Sequence, residues 1–189
     1  MSTALKLEEK LYTYADYLQW DEKERFEILD GYVYAMTAPL INHQRISREL
    51  AFALTVFLKD KPCEVFIAPT TVRLNPQTKD DTVFEPDLFV VCDRKKLDDK
   101  ACNGAPDLVI EITSPSSISY DCILKYRKYL QAKVREYWIF DPESKVVNAF
   151  VLRDDNYIAS IYDENDKLPS KVLEGFILNL SEVFGVMEE

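Results

Sequence analysis

The sequence predicts one α+β domain spanning residues 1–189, with a central mixed sheet flanked by helices and an N-terminal hairpin. Short apolar runs bounded by Gly, Pro or polar residues recur along the chain and are typical of buried strands. One long stretch instead places its apolar residues at helical spacing. With 189 residues and 47% apolar content, the chain can bury a substantial core. No linker or internal repeat divides it.

Two elements are predicted near the N-terminus. The segment TYADYLQW (13–20) is typical of a short amphipathic helix with Thr13 as its cap. In ERFEILDGYVYAMT (24–37), two β-prone runs flank Asp30-Gly31, a strong two-residue turn signal. This second segment therefore predicts a hairpin.

The longest helix is predicted from Asn42, a residue type that favours the N-cap position, to about Lys59. Its spacing predicts a buried stripe, which consists of Ile46, Leu50, Ala53, Leu54 and Phe57.

The later elements are mostly strands. One or two are expected around Pro69 in CEVFIAPTTVRLN (63–75), and one in VFEPDLFVV (83–91). Residues 94–104 are expected to form a loop with room for one helical turn. The rest of the chain predicts a strand in PDLVIEIT (106–113), a helix at about 117–132, a strand and turn at 135–144, a hairpin at 146–165 and a closing segment at 173–184.

Charge limits the classes of partner. The formal charge of −10 opposes binding to nucleic acid, because DNA affinity depends largely on neutralising phosphates. A local basic patch matters more than the total, however. The candidate patches are residues 94–96 and a later group made of Lys125, Arg127, Lys128, Lys133 and Arg135.

Cysteine spacing and hydropathy suggest a compartment. Cys63, Cys92, Cys102 and Cys122 show no C-x-x-C spacing, so neither a zinc cage nor a redox pair is indicated. Four reduced thiols in a cytoplasmic protein are therefore expected. The longest apolar run, residues 51–58, is far shorter than the roughly 20 residues of a membrane helix, so no membrane association is expected.

Glu111 stands in the middle of the apolar run LVIEI, where an ionised carboxylate is costly unless it is paired. The partner could be a Lys or Arg side chain, or a metal ion. Asp107 lies on the same strand, but four residues separate it from Glu111 by about 13 Å. Asp87 lies on a different strand and can reach the same ion if the two strands are neighbours in register. Glu85 shares the predicted face of Asp87.

These positions suggest separate roles. Asp87 and Glu111 are the candidate metal ligands, whereas Asp107 is expected to accept backbone hydrogen bonds where the loop enters its strand. Glu85 is expected to reach the same place as Asp87 or to contact the ligands.

The helix after Glu111 supplies a candidate cation. Lys125 borders the apolar arc of that helix, from which a lysine can extend its stem over the core and direct its ammonium toward the sheet. The alternative is a surface lysine paired with Asp121 one turn earlier. His43 is the only histidine, which excludes sites with two histidines. It is expected either to pack or cap at the start of the long helix, or to lie at the edge of an acidic site.

The motifs FEILDGYVYAMTAP, NHQRIS, EPDLFVVCDRKKL, APDLVIEITSPSS and LNLSEVF, in this order, resemble the Uma2 family over residues 12–184. The resemblance implies a restriction-endonuclease-like core of the PD-(D/E)XK nuclease superfamily. In that superfamily an aspartate and an acidic residue on the next strand bind Mg²⁺, and a lysine assists the attacking water. Pro86-Asp87 stands at the PD position and Glu111 at the D/E position.

The lysine position departs from the superfamily pattern. Thr113 stands two residues after Glu111, where the lysine is expected. Uma2-like proteins are similar in this respect, and their lysine is placed on the following helix, which points to Lys125. The residues expected to support this site are His43, Glu85, Thr113 and Asp121.

The resemblance implies an Mg²⁺-dependent DNA endonuclease, with Mn²⁺ able to substitute, that forms a homodimer. One alternative is a non-catalytic homodimer of the same fold that binds nucleic acid or protein, which the acidic charge and Thr113 favour. Another is hydrolysis of a small phosphate ester, which requires a closed pocket rather than an open groove.

Overall fold

The computed structural model of the protein describes residues 10–20, 25–114 and 120–187. The helices in these ranges are α1 (Tyr14–Tyr17), α2 (Ile41–Leu58), α3 (Tyr126–Gln131) and α4 (Leu180–Gly185). The strands in them are β1 (Phe26–Leu29), β2 (Tyr32–Ala35), β3 (Glu64–Ile67), β4 (Thr71–Arg73), β5 (Val83–Phe84), β6 (Leu88–Val91), β7 (Ala101–Asn103), β8 (Leu108–Ile112), β9 (Glu136–Asp141), β10 (Val146–Arg153), β11 (Asn156–Asp163), β12 (Lys167–Pro169) and β13 (Ile177–Asn179).

The described strands form two sheets and one additional pair. The larger sheet has the order β11-β10-β9-β8-β6-β3, and it is mixed because β8 and β9 run parallel while its other pairs are antiparallel. The smaller sheet has the order β2-β1-β5-β4-β7, and β12 pairs with β13. The predicted α+β class with a mixed sheet is confirmed, but the second sheet was not predicted.

The segment 83–91 forms two strands in different sheets, so the prediction of one strand is wrong. β5 belongs to the smaller sheet and β6 to the larger, and Glu85-Pro86-Asp87 connects them. Pro86 has no N–H to donate to a strand ladder. The N–H of Glu85 donates instead to a side chain, Glu27 Oε1, at 2.9 Å. The chain therefore leaves one sheet and enters the other at the motif that carries Asp87.

The central strands β6, β8 and β9 of the larger sheet are buried on both faces, which explains their continuous apolar runs. On one face, Leu88 and Val90 pack in the same cluster as Ile46, Leu50 and Leu54 of α2. On the other face, Phe89 and Val91 of the same strand pack with Val72 and Phe84 of the smaller sheet. Truncating one of these fully buried leucines to alanine is expected to cost about 2–5 kcal/mol.

Helix α2 begins one residue before the predicted cap. Gln44 N–H donates to Leu40 O at 3.1 Å, so the first turn closes on Leu40, which is the N-cap, and not on Asn42. The buried residues of the helix are Ile46, Ser47, Leu50, Leu54 and Leu58. Ala53 and Phe57, predicted in the stripe, are only partly buried.

The two N-terminal predictions are confirmed. Thr13 is the N-cap of α1 and forms a capping box with Asp16. β1 and β2 form the hairpin, and Asp30 and Gly31 both have positive φ, as the mirror-image turn requires. A Cβ on Gly31 would lie 2.8 Å from Leu11 Cβ, so the position also lacks space for a larger residue.

One later prediction is wrong, and another can be checked only in part. Residues 101–103, expected in a loop, form β7 and pair parallel to β4. Of the helix expected at 117–132, residues 120–125 are π-helical and continue into α3, while 117–119 lie outside the described residues.

Cys63 and Cys92 form a disulfide, so the expectation of four reduced thiols is wrong for this pair. The antiparallel register of β3 and β6 pairs Glu64 with Val91, which places the two flanking cysteines opposite each other. Cysteine spacing along the chain could not show this proximity. Cys102 is free and buried.

None of the described helices combines the length and the hydropathy that a membrane-spanning segment needs.

Candidate active site

The register of β6 and β8 brings Asp87 and Glu111 together. Leu88 pairs with Ile110, so Asp87, one residue before, lies opposite Glu111, one residue after. Asp87 Oδ2 accepts the backbone N–H of Ile112 at 2.7 Å, and Asp87 N lies 3.4 Å from Glu111 Oε2. The condition set by the sequence, neighbouring strands in register, is therefore met.

Lys125 reaches the same point from the π-helical segment. Its Nζ lies 2.9 Å from Glu111 Oε1 and 2.9 Å from Glu27 Oε1. Only 3% of Lys125 is exposed, which contradicts the alternative of a surface lysine. The side chain of Asp121, its predicted partner, lies outside the described residues. Glu111 is thus paired with a lysine in the structure, and this pair was one of the two partners that its position suggested.

Sequence reasoning missed two further side chains of this cluster. Glu27 on β1 is 2% exposed and accepts hydrogen bonds from Lys125 Nζ and Glu85 N. Tyr129 on α3 is fully buried, and its hydroxyl donates to Glu111 Oε1 at 2.8 Å. Burial raises the pKa of Tyr129 well above its usual value, and the negative charge of Glu111 raises it further. The available signals were a glutamate inside the apolar run FEIL and a hydroxyl on an otherwise apolar helix face.

Glu85 does not reach the place predicted for it. Its carboxylate is bound by Tyr17 Oη at 2.6 Å and by Arg25 Nη2 at 2.7 Å. Burial raises the pKa of Tyr17, and its hydrogen bond to Glu85 raises it further. The alternation expected of one continuous strand is broken between β5 and β6, so Glu85 and Asp87 do not share a face. Glu85 is linked to the cluster through its backbone N–H, which Glu27 accepts.

His43 lies at the edge of the acidic cluster. Its Nε2 is 3.1 Å from Asp87 Oδ2, and its Nδ1 is buried without a hydrogen-bond partner in the part of the chain that the structure describes. A carboxylate only accepts, so Nε2 carries the proton in this contact. His43 can therefore orient Asp87.

Thr113 and Asp107 have contacts with backbone groups. The hydroxyl of Thr113 donates to Phe140 O at 3.2 Å, so it does not replace the missing lysine at Glu111. Asp107 Oδ2 accepts the N–H of Cys92 at 2.8 Å, and Arg135 pairs with its Oδ1 at 3.0 Å. The expected structural role of Asp107 at the strand entrance agrees with these contacts.

The charged cluster opens into a cavity of about 960 Å³. Asp87, Glu111, Lys125, Glu27 and His43 all line it. A neighbouring cavity of about 320 Å³ shares His43 with it and is lined by Thr113. Asp87, Glu111 and Lys125, which the sequence predicted as catalytic, therefore line one cavity. Thr113, which was expected to support the site, lines the smaller cavity.

The chain matches, over residues 14–181, the family Uma2, described as "Putative restriction endonuclease". The chain belongs to the Uma2 family. It is 29% identical over 160 residues to "Uncharacterized protein slr1290" of Synechocystis sp., which covers 82% of this chain and 83% of the relative. It is 26% identical over 137 residues to "Uncharacterized protein sll1609" of the same organism, which covers 70% and 76%.

A solved structure has the same fold as this Uma2 protein. It is the crystal structure of "a putative nuclease belonging to DUF820" from Anabaena variabilis, with a TM-score of 0.76 and 18% identity over 92% of this chain and 98% of that one. The likeness establishes the restriction-endonuclease-like fold of the Uma2 protein.

Proposed function

We propose that this Uma2 protein is a Mg²⁺-dependent endonuclease that hydrolyses phosphodiester bonds of DNA, with Mn²⁺ able to replace Mg²⁺. One observation carries the proposal. Asp87, Glu111 and Lys125, three residues on separate elements, meet in a single cavity, with Lys125 Nζ 2.9 Å from Glu111 Oε1. We further propose that the protein acts as a homodimer, because two-fold homodimers are by far the commonest assemblies of soluble proteins.

The donor set fits a hard divalent cation. No three His, Cys, Asp or Glu side chains form a complete ligand set among the described residues. Mg²⁺, however, is usually held by one or two carboxylates together with waters and substrate phosphates. Asp87 and Glu111 supply these carboxylates. The hydrogen bonds that the structure shows to the Asp87 carboxylate all reach Oδ2, so Oδ1 is the atom best placed to bind a metal ion.

Electrostatics also favours a cation at this site. The carboxylates of Glu27 and Glu111 contact the ammonium of Lys125, and Asp87 lies beside Glu111. When all are ionised, the described cluster has an excess of two negative charges, which is costly in a buried place. A divalent cation would balance this excess.

Each side chain then has a distinct role. The bound metal would polarise the scissile phosphate and lower the pKa of a bound water. Lys125 donates to the developing charge or orients the attacking water, and Glu27 and Glu111 hold its ammonium in place. His43 fixes the orientation of Asp87 through Oδ2.

A non-catalytic homodimer that binds nucleic acid or protein is the second candidate. The observation in its favour is that Glu111 Oε1 already accepts hydrogen bonds from Lys125 and Tyr129, so a lysine partner accounts for much of its burial without a metal.

Incubation of plasmid and single-stranded DNA with Mg²⁺ or Mn²⁺ distinguishes the two candidates. The wild type and the Asp107→Asn control are expected to cleave at least one of these two DNAs, while Glu111→Gln is expected to cleave neither. A wild type that cleaves nothing supports the non-catalytic candidate. Cleavage that persists in Glu111→Gln indicates a contaminating nuclease and leaves the proposal without support.

A further inference from the structure

Exposed apolar side chains surround the mouth of the cavity. Leu40, Ile67 and Ile123 are 62%, 45% and 50% exposed, and all three line the cavity that contains Asp87 and Glu111. We call these three residues the apolar rim. Large apolar side chains are costly to leave in water, and the rim adjoins the site where a phosphate would react. The flat faces of a nucleobase are the part of a nucleic acid that packs against apolar side chains.

The cavity offers few cations to a phosphate backbone. Among the described residues that line it, Arg25 and Lys125 are the ones with a permanent positive charge. Arg25 is paired with Glu85, and Lys125 is held between Glu27 and Glu111. A duplex lying across the mouth would therefore find little of the positive surface on which duplex affinity depends.

Several members of the basic patches suggested by the sequence are paired with acids. Arg94 pairs with Glu64, and the later group forms Lys128–Asp30, Lys133–Asp155 and Arg135–Asp107 pairs, all within 3.0 Å. Together with the net charge of −10, these pairs weaken the attraction of the two patches for the phosphates of a duplex.

The size of the cavity also favours a ligand smaller than a duplex. A volume of about 960 Å³ lies at the upper end of the range of cavities that enclose small ligands. Such a cavity can take a nucleotide whose base is not stacked in a helix, as enzymes do that act on single strands or on flipped nucleotides.

On the basis of the function proposed above, we infer that this site binds an unpaired nucleotide. The scissile phosphate lies at Asp87 and Glu111, and its base packs against the apolar rim. Single strands and unpaired overhangs are the substrates, and a continuous duplex is not. Hydrolysis adds water across one P–O bond, giving a phosphate monoester and a free hydroxyl.

Oligonucleotides of one sequence, offered as a single strand, a blunt duplex and a duplex with an overhang, test the inference in Mn²⁺. The wild type is expected to cleave the single strand and the overhang at least about tenfold faster, in kcat/KM, than the blunt duplex, which is the scale of losing the burial of one aliphatic side chain against the base.

Two rim variants and one matched control complete the design. Leu40→Asn and Ile67→Asn are expected to lower kcat/KM for the single strand about tenfold, because each removes apolar area that the base would cover. Val56→Asn changes a similarly exposed apolar residue of α2 that lies outside both cavities, and it should match the wild type. Because all three residues are exposed, melting temperatures should stay within a few degrees of the wild type.

The experiments distinguish failure of this inference from failure of the proposed nuclease function. Equal cleavage of duplex and single strand, or rim variants as active as the Val56→Asn control, overturns the inference while the nuclease proposal stands. Hydrolysis of bis-p-nitrophenyl phosphate without cleavage of any oligonucleotide overturns it in favour of small phosphate esters. A wild type that hydrolyses none of these substrates removes the proposed function and the inference together.

Discussion

At the scale of single residues, Lys125 connects the two interpretations of the site. Its ammonium is the buried partner of Glu111 and of Glu27, and it is also the cation next to the proposed metal ligands. A stabilising role and a catalytic role make different predictions, because the first concerns folding free energy and the second concerns turnover.

Lys125→Ala is expected to reduce turnover about 100-fold, the scale for losing a positioned catalytic group. Affinity for Mn²⁺ should be retained or increased, because an ammonium has no lone pair for a metal and its loss leaves the carboxylates more negative. The variant should also unfold more easily by about 3–5 kcal/mol, since two buried carboxylates lose their cation. Single-turnover kinetics, calorimetry with Mn²⁺ and urea melts measure the three effects.

The double variant Lys125→Ala with Glu27→Gln separates the stabilising role of Lys125 from its catalytic role. Removing one of the two stranded carboxylates should restore part of the lost stability but none of the lost turnover. Wild-type activity in Lys125→Ala would remove this lysine from the catalytic site and leave it as a structural ion-pair partner.

Tyr129 gives the site a pH dependence at the alkaline end. Its pKa is raised in the folded state by burial and by Glu111, while in the unfolded chain it is about 10. Above that pH the unfolded chain loses the proton first, so the free energy of unfolding falls as pH rises. Thermal melts between neutral pH and strongly alkaline pH should show this fall, and Tyr129→Phe should make it shallower. Equal slopes for both proteins would contradict the assignment.

The sequence located part of this cluster because carboxylates inside apolar strands are conspicuous. Asp87 and Glu111 stand out for that reason. Glu27 was not recognised, because the sequence predicted its N-terminal hairpin but not the other strands with which that hairpin pairs. Tyr129 was hidden because tyrosine on an apolar helix face is ordinary. Glu27 and Tyr129 can be assigned to the site only once the packing of the smaller sheet on the larger one is known.

At the scale of elements, local patterns predicted strands well and their partners poorly. Alternation and turn residues identified the β1–β2 and β10–β11 hairpins, whose pairing is local. The split of 83–91 could not be read from the sequence, because it depends on which sheet each half joins. The β3–β6 register, which pairs Cys63 with Cys92, is likewise a long-range property.

The disulfide predicts a thiol count that can be measured. Titration of the denatured, unreduced protein should find two fewer thiols than titration after reduction, because Cys63 and Cys92 are joined. Reduction should also lower the melting temperature, since the cross-link fastens the edge strand β3 to β6. Cys102→Ser serves as the control, because it removes one thiol and leaves the disulfide intact. Equal counts before and after reduction would show that the pair is not bonded.

At the scale of the whole molecule, two sheets meet around one cavity, and the segment that crosses between them carries the proposed metal ligand. Asp87 immediately precedes β6, Glu111 lies on β8, and Glu27 comes from the smaller sheet. The fold class followed from the sequence because it depends on the count and type of elements. The position of the site followed only in part, since it depends on how the two sheets pack.

The central claim is that Asp87 and Glu111 hold one divalent cation, and titration calorimetry with Mn²⁺ tests it most directly. The wild type should bind Mn²⁺, and either Asp87→Asn or Glu111→Gln should abolish the binding heat. Asp107→Asn should retain it, because Asp107 is bonded to Cys92 N–H at the other end of β8, about 13 Å from Glu111. A wild type that shows no binding, or three variants that lose it equally, would contradict the account.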